Sequence, residues 1–361
     1  MTPRRATLAG VSLGDGLPVA VLGVLNVSPE SFHAGSVRAT DDDLLQAALA
    51  MAEAGAALLD VGARSTAPYL DTDISDAEER DRLARAVEML ARKVPVPVSA
   101  DTSRPGPARA ALEAGARVIN DVTGLRDPRV AALVREHGAD LILMASPERI
   151  GAGGPAETTL APTRSVTHRR VRSDQPAEAT GLRWPPAPDP LSPEAAGLAW
   201  PPGPDARPVE ATGLGHAADS RTDPVVHVRG LLAAALGRAR EAGIPEERIV
   251  LDPGIGFFRD EAIPWDEWDV RVLAGLEALG ALGRPLCVGI SRKSFVGAIT
   301  GRTRTEARLA GSLAAATVAV LGGAALLRTH DVAETRDAIR IAERIRRATM
   351  ARAMDSEGAD R

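Results

Sequence analysis

Seven short polar clusters punctuate the 361 residues, each at the carboxyl end of a short apolar run. They are Asn26-Val-Ser-Pro-Glu-Ser-Phe32, Asp60-Val-Gly-Ala-Arg-Ser-Thr-Ala-Pro68, Ser99-Ala-Asp-Thr102, Ile119-Asn-Asp121, Asp252-Pro-Gly-Ile-Gly-Phe257, Ser291-Arg-Lys-Ser294 and Arg328-Thr-His-Asp331. Carboxylates, amides, hydroxyls, a lysine, arginines and a histidine are thus supplied by separate segments. Polar side chains at the carboxyl ends of successive buried strands are how a (β/α)8 barrel builds one active site at one rim.

The elements needed to hold such clusters are legible. Strands are expected over Val19–Leu25, Ala57–Val61, Val96–Ala100, Arg117–Ile119, Asp140–Met144, Ile249–Leu251, Leu286–Ile290 and Ala324–Leu327. Helical spacing recurs over Asp42–Ala54, Asp76–Arg92, Gly106–Ala114, Pro128–His137, Val226–Ala242, Glu267–Ala281, Glu306–Leu321 and Val332–Arg346. The strand runs are continuously apolar, as parallel strands covered on both faces require. Glycines after Glu53-Ala54, Glu113-Ala114 and Glu241-Ala242 mark helix ends. The expected fold is therefore an α/β TIM barrel over residues 19–346. A barrel needs only about 250 residues, and the surplus falls between Met144 and Val226. There a 16-residue unit recurs, with Glu178-Ala-Thr-Gly-Leu182 answered by Glu194-Ala-Ala-Gly-Leu198 and Glu210-Ala-Thr-Gly-Leu214. This Pro/Gly-rich insertion, residues 148–222 after the fifth strand, has too little apolar content to pack and is expected to be disordered.

Composition excludes several classes. A net charge of −5 with both signs interspersed offers nothing to nucleic acid. One cysteine, Cys287, permits no internal disulfide and fits the cytoplasm. The uncharged stretch Leu309–Leu327 is mostly Ala and Gly and is split by Gly322-Gly323, which argues against a membrane span.

The clusters, in this order, resemble the motifs of the dihydropteroate synthase family, pterin-binding barrels that join an aminobenzoate to a pterin with loss of pyrophosphate. The resemblance runs from about Val19 to Arg346, interrupted by the repeat segment. It implies the following roles. Asp252 accepts paired N–H groups of the pterin edge, and Asp101 and Asn120 meet neighbouring ring nitrogens. Lys293 donates to the O4/N5 region and offsets the carboxylates. Arg328 and His330 receive the leaving diphosphate, and Asn26 is an oxygen ligand for Mg2+. Arg292 lies beside the pterin, Ser294 meets the aminobenzoate carboxylate, and Thr66, Met144, Phe257, Gly289 and Ser291 complete the substrate contacts. A homodimer packed through the Ala-rich segment Gly311–Val320 is implied as well.

Two loops depart from the family pattern. The second reads Ala63-Arg-Ser-Thr-Ala-Pro-Tyr69 where Gly-Glu-Ser-Thr-Arg-Pro-Gly is usual, and the first carries Glu30 and Phe32-His-Ala-Gly-Ser36. These changes resemble an archaeal branch, and Arg64 and Tyr69 suit a bulkier or more anionic amine. Two amines therefore remain open, 4-aminobenzoate and a ribofuranosyl-aminobenzene phosphate of methanopterin synthesis. Two other functions compete: a pterin-binding methyltransferase-like domain, which has no diphosphate for Arg328 and His330 to neutralise, and a non-catalytic pterin binder.

Overall fold

Eight of the apolar runs form parallel strands that close on themselves. The computed structural model describes residues 3–27, 41–64, 74–146, 223–258 and 263–359. The chain divides into two units, Met1–Ala152 with Ala218–Arg361, and Gly153–Ala217; every described residue belongs to the first. The repeat segment, Thr66, Ala67, Tyr69, Glu30 and Phe32 lie outside the described residues.

The elements are β1 (Arg5–Leu8), β2 (Val11–Gly14), β3 (Ala20–Asn26), α1 (Asp41–Glu53), β4 (Leu58–Gly62), α2 (Asp76–Lys93), β5 (Val98–Asp101) and α3 (Pro105–Glu113). There follow β6 (Val118–Asp121), α4 (Pro128–His137), β7 (Asp140–Met144), α5 (Pro224–Glu241), β8 (Ile249–Asp252), α6 (Trp265–Ala274) and α7 (Leu276–Leu279). Last come β9 (Leu286–Gly289), α8 (Ser294–Thr300), α9 (Leu309–Leu321), β10 (Ala324–Thr329) and α10 (Val332–Ala359). The barrel order is β10-β3-β4-β5-β6-β7-β8-β9, closed and parallel. The long connection of the sequence falls after β7, the fifth barrel strand.

Strand parity explains how the barrel separates core from site. Leu59, Val61, Ile119, Leu141, Leu143, Ile249, Leu251, Val288 and Leu327 pack outward against the helices. The alternate residues Leu22, Leu58, Val118, Ile142, Val250, Cys287 and Leu326 form a second, inner cluster. Two residues further along most of these strands stand Asp60, Asn120, Met144, Asp252, Gly289 and Arg328. A period of two puts each on the inward face, one layer nearer the mouth. The apolar layer is thus the floor on which the polar layer rests.

Three features depart from the expected elements. The stretch Glu267–Ala281 is two helices, because the backbone stops at Gly275 between α6 and α7. A further short helix, α8, begins at Ser294. The antiparallel hairpin of β1 and β2 precedes the barrel, and its Ala6, Leu8 and Leu13 join the inner cluster. It closes the amino end of the barrel, fastened by the Ala9 N–H donating to Asp140 Oδ2 at 2.5 Å. Among the described residues no helix is long and apolar enough to cross a membrane.

Candidate active site

At the carboxyl end of the strands, Asp60 is the organising residue. It is fully buried, and its Oδ2 accepts from Asn120 Nδ2 at 2.9 Å and from Arg328 Nε at 2.7 Å. Arg328 Nη2 donates to Asp101 Oδ2, also at 2.7 Å. One guanidinium thus spans two carboxylates from neighbouring strands. Asp60 Oδ1, Asp101 Oδ1 and Ser99 Oγ are buried without a hydrogen-bond partner among the described residues. Buried acceptors left unpaired carry a desolvation cost, and donors from a ligand would relieve it.

Charge in this layer is finely balanced. Burial pushes the Asp101 carboxyl up, Arg328 pulls it back, and Asp60 and Glu79 push again, leaving it at about 7. Burial likewise raises Asp252, against the Gly254 N–H and the nearby charges of Lys293 and Arg328. For Arg328, burial opposes its charge, but Asp60 and Asp101 outweigh it and hold the guanidinium above its usual value. Burial, then Arg328 and Arg292, press His330 down to about 4. His330 is therefore neutral at pH 7, and its Nδ1 lies 3.1 Å from Ser291 Oγ.

The turn after β8 is shaped by glycine. Gly254 and Gly256 have φ of +71° and +87°, and a Cβ on Gly254 would stand 2.4 Å from the Ala145 carbonyl oxygen. Only glycine adopts this path without strain. The Gly254 N–H donates to Asp252 Oδ1 at 2.7 Å. Lys293 lies across Gly256, where a Cβ would come within 2.9 Å of Cδ. Its Nζ is 4.6 Å from the centre of the Phe257 ring, a cation–π distance.

Most of the expected site residues converge here. Asp101, Asn120, Met144, Asp252, Gly289 and Arg328 share the inner face, with Lys293 and Phe257 at the β8 turn. Asn26 and Asp101 flank Gly62, where a Cβ would stand 3.6 Å from Asn26 Oδ1 and 3.7 Å from Asp101 Oδ2. Arg292 is ion-paired with Asp331, and Ser294 opens α8. Arg64 is not a free charge at the mouth: its Nε lies 3.4 Å from Glu79 Oε2. Buried Glu79 also accepts from Arg104 Nη1 at 3.1 Å and Thr102 Oγ1 at 2.6 Å. Asp60 is given no role by the family resemblance; parity alone points to it, two positions beyond Leu58 on the same strand.

This arrangement is that of a (β/α)8 enzyme whose mouth is built for a polar, hydrogen-bonding ligand. The family model described as "Pterin binding enzyme" matches residues 22–179 and 211–330, its break falling within the repeat segment. A dihydropteroate synthase of Mycobacterium leprae is 32% identical, covering 90% of this chain and 92% of the relative. A probable bifunctional folylpolyglutamate synthase/dihydropteroate synthase of Haloferax volcanii is 31% identical over 90% of this chain, which spans 30% of that relative's length. The solved dihydropteroate synthase of Xanthomonas albilineans in complex with 7,8-dihydropteroate superposes with a TM-score of 0.66 at 30% identity, covering 94% of this chain and 98% of that one. The chain belongs to the pterin-binding enzyme family and, within it, to the dihydropteroate synthases, and is a transferase.

Proposed function

We propose that the chain condenses 6-hydroxymethyl-7,8-dihydropterin diphosphate with 4-aminobenzoate and releases pyrophosphate, a step of folate synthesis. The observation that carries this reading is the inward layer of Asp60, Asp101, Asn120 and Asp252 with two carboxylate oxygens still lacking donors. A pterin edge offers N–H groups side by side, which suits that layer. Asp252, Asp101 and Asn120 bind the ring, with Lys293 and Phe257 over the β8 turn and Met144, Gly289, Ser291 and Arg292 around it. Arg328 and His330 take the diphosphate, and Ser294 and Thr66 the aminobenzoate. Arg328 is engaged by two carboxylates, so a diphosphate competes with them for the guanidinium.

Mg2+ suits the donor chemistry of Asn26, whose Oδ1 is a hard oxygen ligand on the same face as Asp101, and Asn26 would hold the ion. Bound there, the ion would supply positive charge to the leaving diphosphate. A homodimer is the proposed assembly, since Val318 and Leu321 of α9 and Ile341 and Ile345 of α10 are exposed. The buried free thiol of Cys287 suits the cytoplasm. Incubating the protein with the pterin diphosphate and either 4-aminobenzoate or the ribofuranosyl-aminobenzene phosphate, with and without Mg2+, tests the reading. Dihydropteroate from the first amine is expected. Product from the second amine alone reassigns the substrate, and product from neither overturns the proposal.

A further inference from the structure

Asp269 of α6 is fully buried and has no part in the assigned chemistry. Its Oδ1 accepts the N–H of Gly256 at 2.8 Å. Gly256 is the residue over which Lys293 passes, and it belongs to the same turn as Asp252, Gly254 and Phe257. Aromatic packing fastens this turn from the same side. Phe258 is stacked on Trp268 at 5.2 Å, and His227 meets both rings edge-on at 6.0 and 5.5 Å. Aromatics make up only 2% of the chain, yet Phe257, Phe258, Trp265 and Trp268 gather at this turn and the helix behind it. The helix is therefore bound to the turn by an apolar contact, and Asp269 adds a directional bond to the turn's backbone.

The geometry points to Asp269 as a positioning residue: by holding the Gly256 N–H, it fixes the turn as the track along which Lys293 reaches over Phe257 toward Asp252. In functional terms this rests on the pterin-binding reading of the site. A lysine on a flexible four-carbon stem owes its aim to what it lies against. Loss of about an ångström of aim is enough to weaken a site that works by preorganisation. Gly256 can serve as that track only while its backbone keeps a positive φ, and a bond to its own N–H restrains that conformation.

Three variants separate positioning from simple stability. Asp269→Ala removes the acceptor, Asp269→Asn keeps an oxygen in the same place, and Gly256→Ala disturbs the track from the other side. With Asp269→Ala, the KM for the pterin diphosphate is expected to rise about tenfold while that for 4-aminobenzoate stays within about twofold. Asp269→Asn should restore most of the difference, and Gly256→Ala should reproduce the alanine pattern even if Asp269→Ala fails to fold. In the unliganded protein, reductive methylation of Lys293 by formaldehyde and borohydride, read by peptide mass spectrometry, should quicken in Asp269→Ala or Gly256→Ala but not in Asp269→Asn. Equal Lys293 reactivity in all of them overturns the inference, as does Asp269→Asn behaving like Asp269→Ala. If the wild type turns over no pterin while the reactivity pattern holds, it is the pterin reading that fails and not the role of Asp269.

Discussion

At the scale of single residues, the mouth of the barrel is a set of buried charges that partly neutralise one another. Asp252 keeps one oxygen tied to Gly254 and is raised by its burial, so a ligand N–H finds an acceptor that water has left. Asp252→Asn exchanges a carboxylate oxygen for an amide donor, and the loss of pterin affinity is expected to be about 2–5 kcal/mol by calorimetric titration. Affinity within about threefold of wild type would remove Asp252 from the site.

The same layer predicts two opposed pH slopes. His330 has a folded value of about 4 against an ordinary 6.5, so between these values the unfolded chain binds a proton that the fold does not. The stability that neutral His330 contributes is present above pH 6.5 and lost as pH falls toward 4. Asp101, raised to about 7 from an ordinary 3.8, works the other way: the fold binds the extra proton, and stability is lost as pH rises from about 4 through 7. Melting temperatures from pH 4 to 8 should flatten on the acid side in His330→Gln and on the neutral side in Asp101→Asn. Parallel curves for wild type and both variants would contradict the assignment.

At the scale of elements, the barrel holds its site through an interior in two layers. The polar layer stands above Leu22, Leu58, Val118, Ile142, Val250, Cys287 and Leu326, and the β1–β2 hairpin covers that floor with Leu8 and Leu13, both fully buried. Leu8→Ala leaves a cavity between hairpin and barrel at the end remote from the chemistry. It should cost about 2–5 kcal/mol in urea denaturation while leaving pterin affinity unchanged, because the site stands on the opposite rim. A drop in affinity as large as the drop in stability would mean that the floor and the mouth deform together.

At the scale of the whole molecule, α9 and α10 leave apolar side chains in solvent. Ile341 is 61% exposed and Ile345 47%, with Val318 and Leu321 on the neighbouring helix. The groove between the two helices is lined by Leu313, Ala314, Thr317, Ala338 and Ile341, with Glu334 and Asp337 at its α10 side. Exposed apolar side chains gathered on two adjacent helices are the basis of the proposed homodimer. If the proposed dimer packs through this face, Ile341→Glu with Ile345→Glu should convert it into a monomer in light scattering, because two carboxylates cannot be buried against a partner's surface without counter-charges. A wild-type protein that is already monomeric at micromolar concentration would refute the dimer.

The amino-acid sequence by itself determined the alternation of strands and helices, and with it the barrel. An apolar run bounded by glycine and an amphipathic stretch of helical period are local properties, and all eight barrel strands lie where those patterns put them. The same local order placed Asp101, Asn120, Asp252, Lys293 and Arg328 at strand ends. What the sequence could not decide is which of them meet. Arg328 bonds to Asp60 across 268 positions and to Asp101 across 227, and those contacts exist only because β10 closes against β3. Hairpin docking has the same character: β1 and β2 are two four-residue strands, too short to signal their place until the barrel offers them a floor. Arg64 stands in the sequence as a charge suited to an anionic substrate, yet it pairs with Glu79, fifteen positions away on α2, a partner that only distance through space selects. Periodicity is written residue by residue along the chain, but charge pairing depends on distance through space, and only the closed barrel sets that distance.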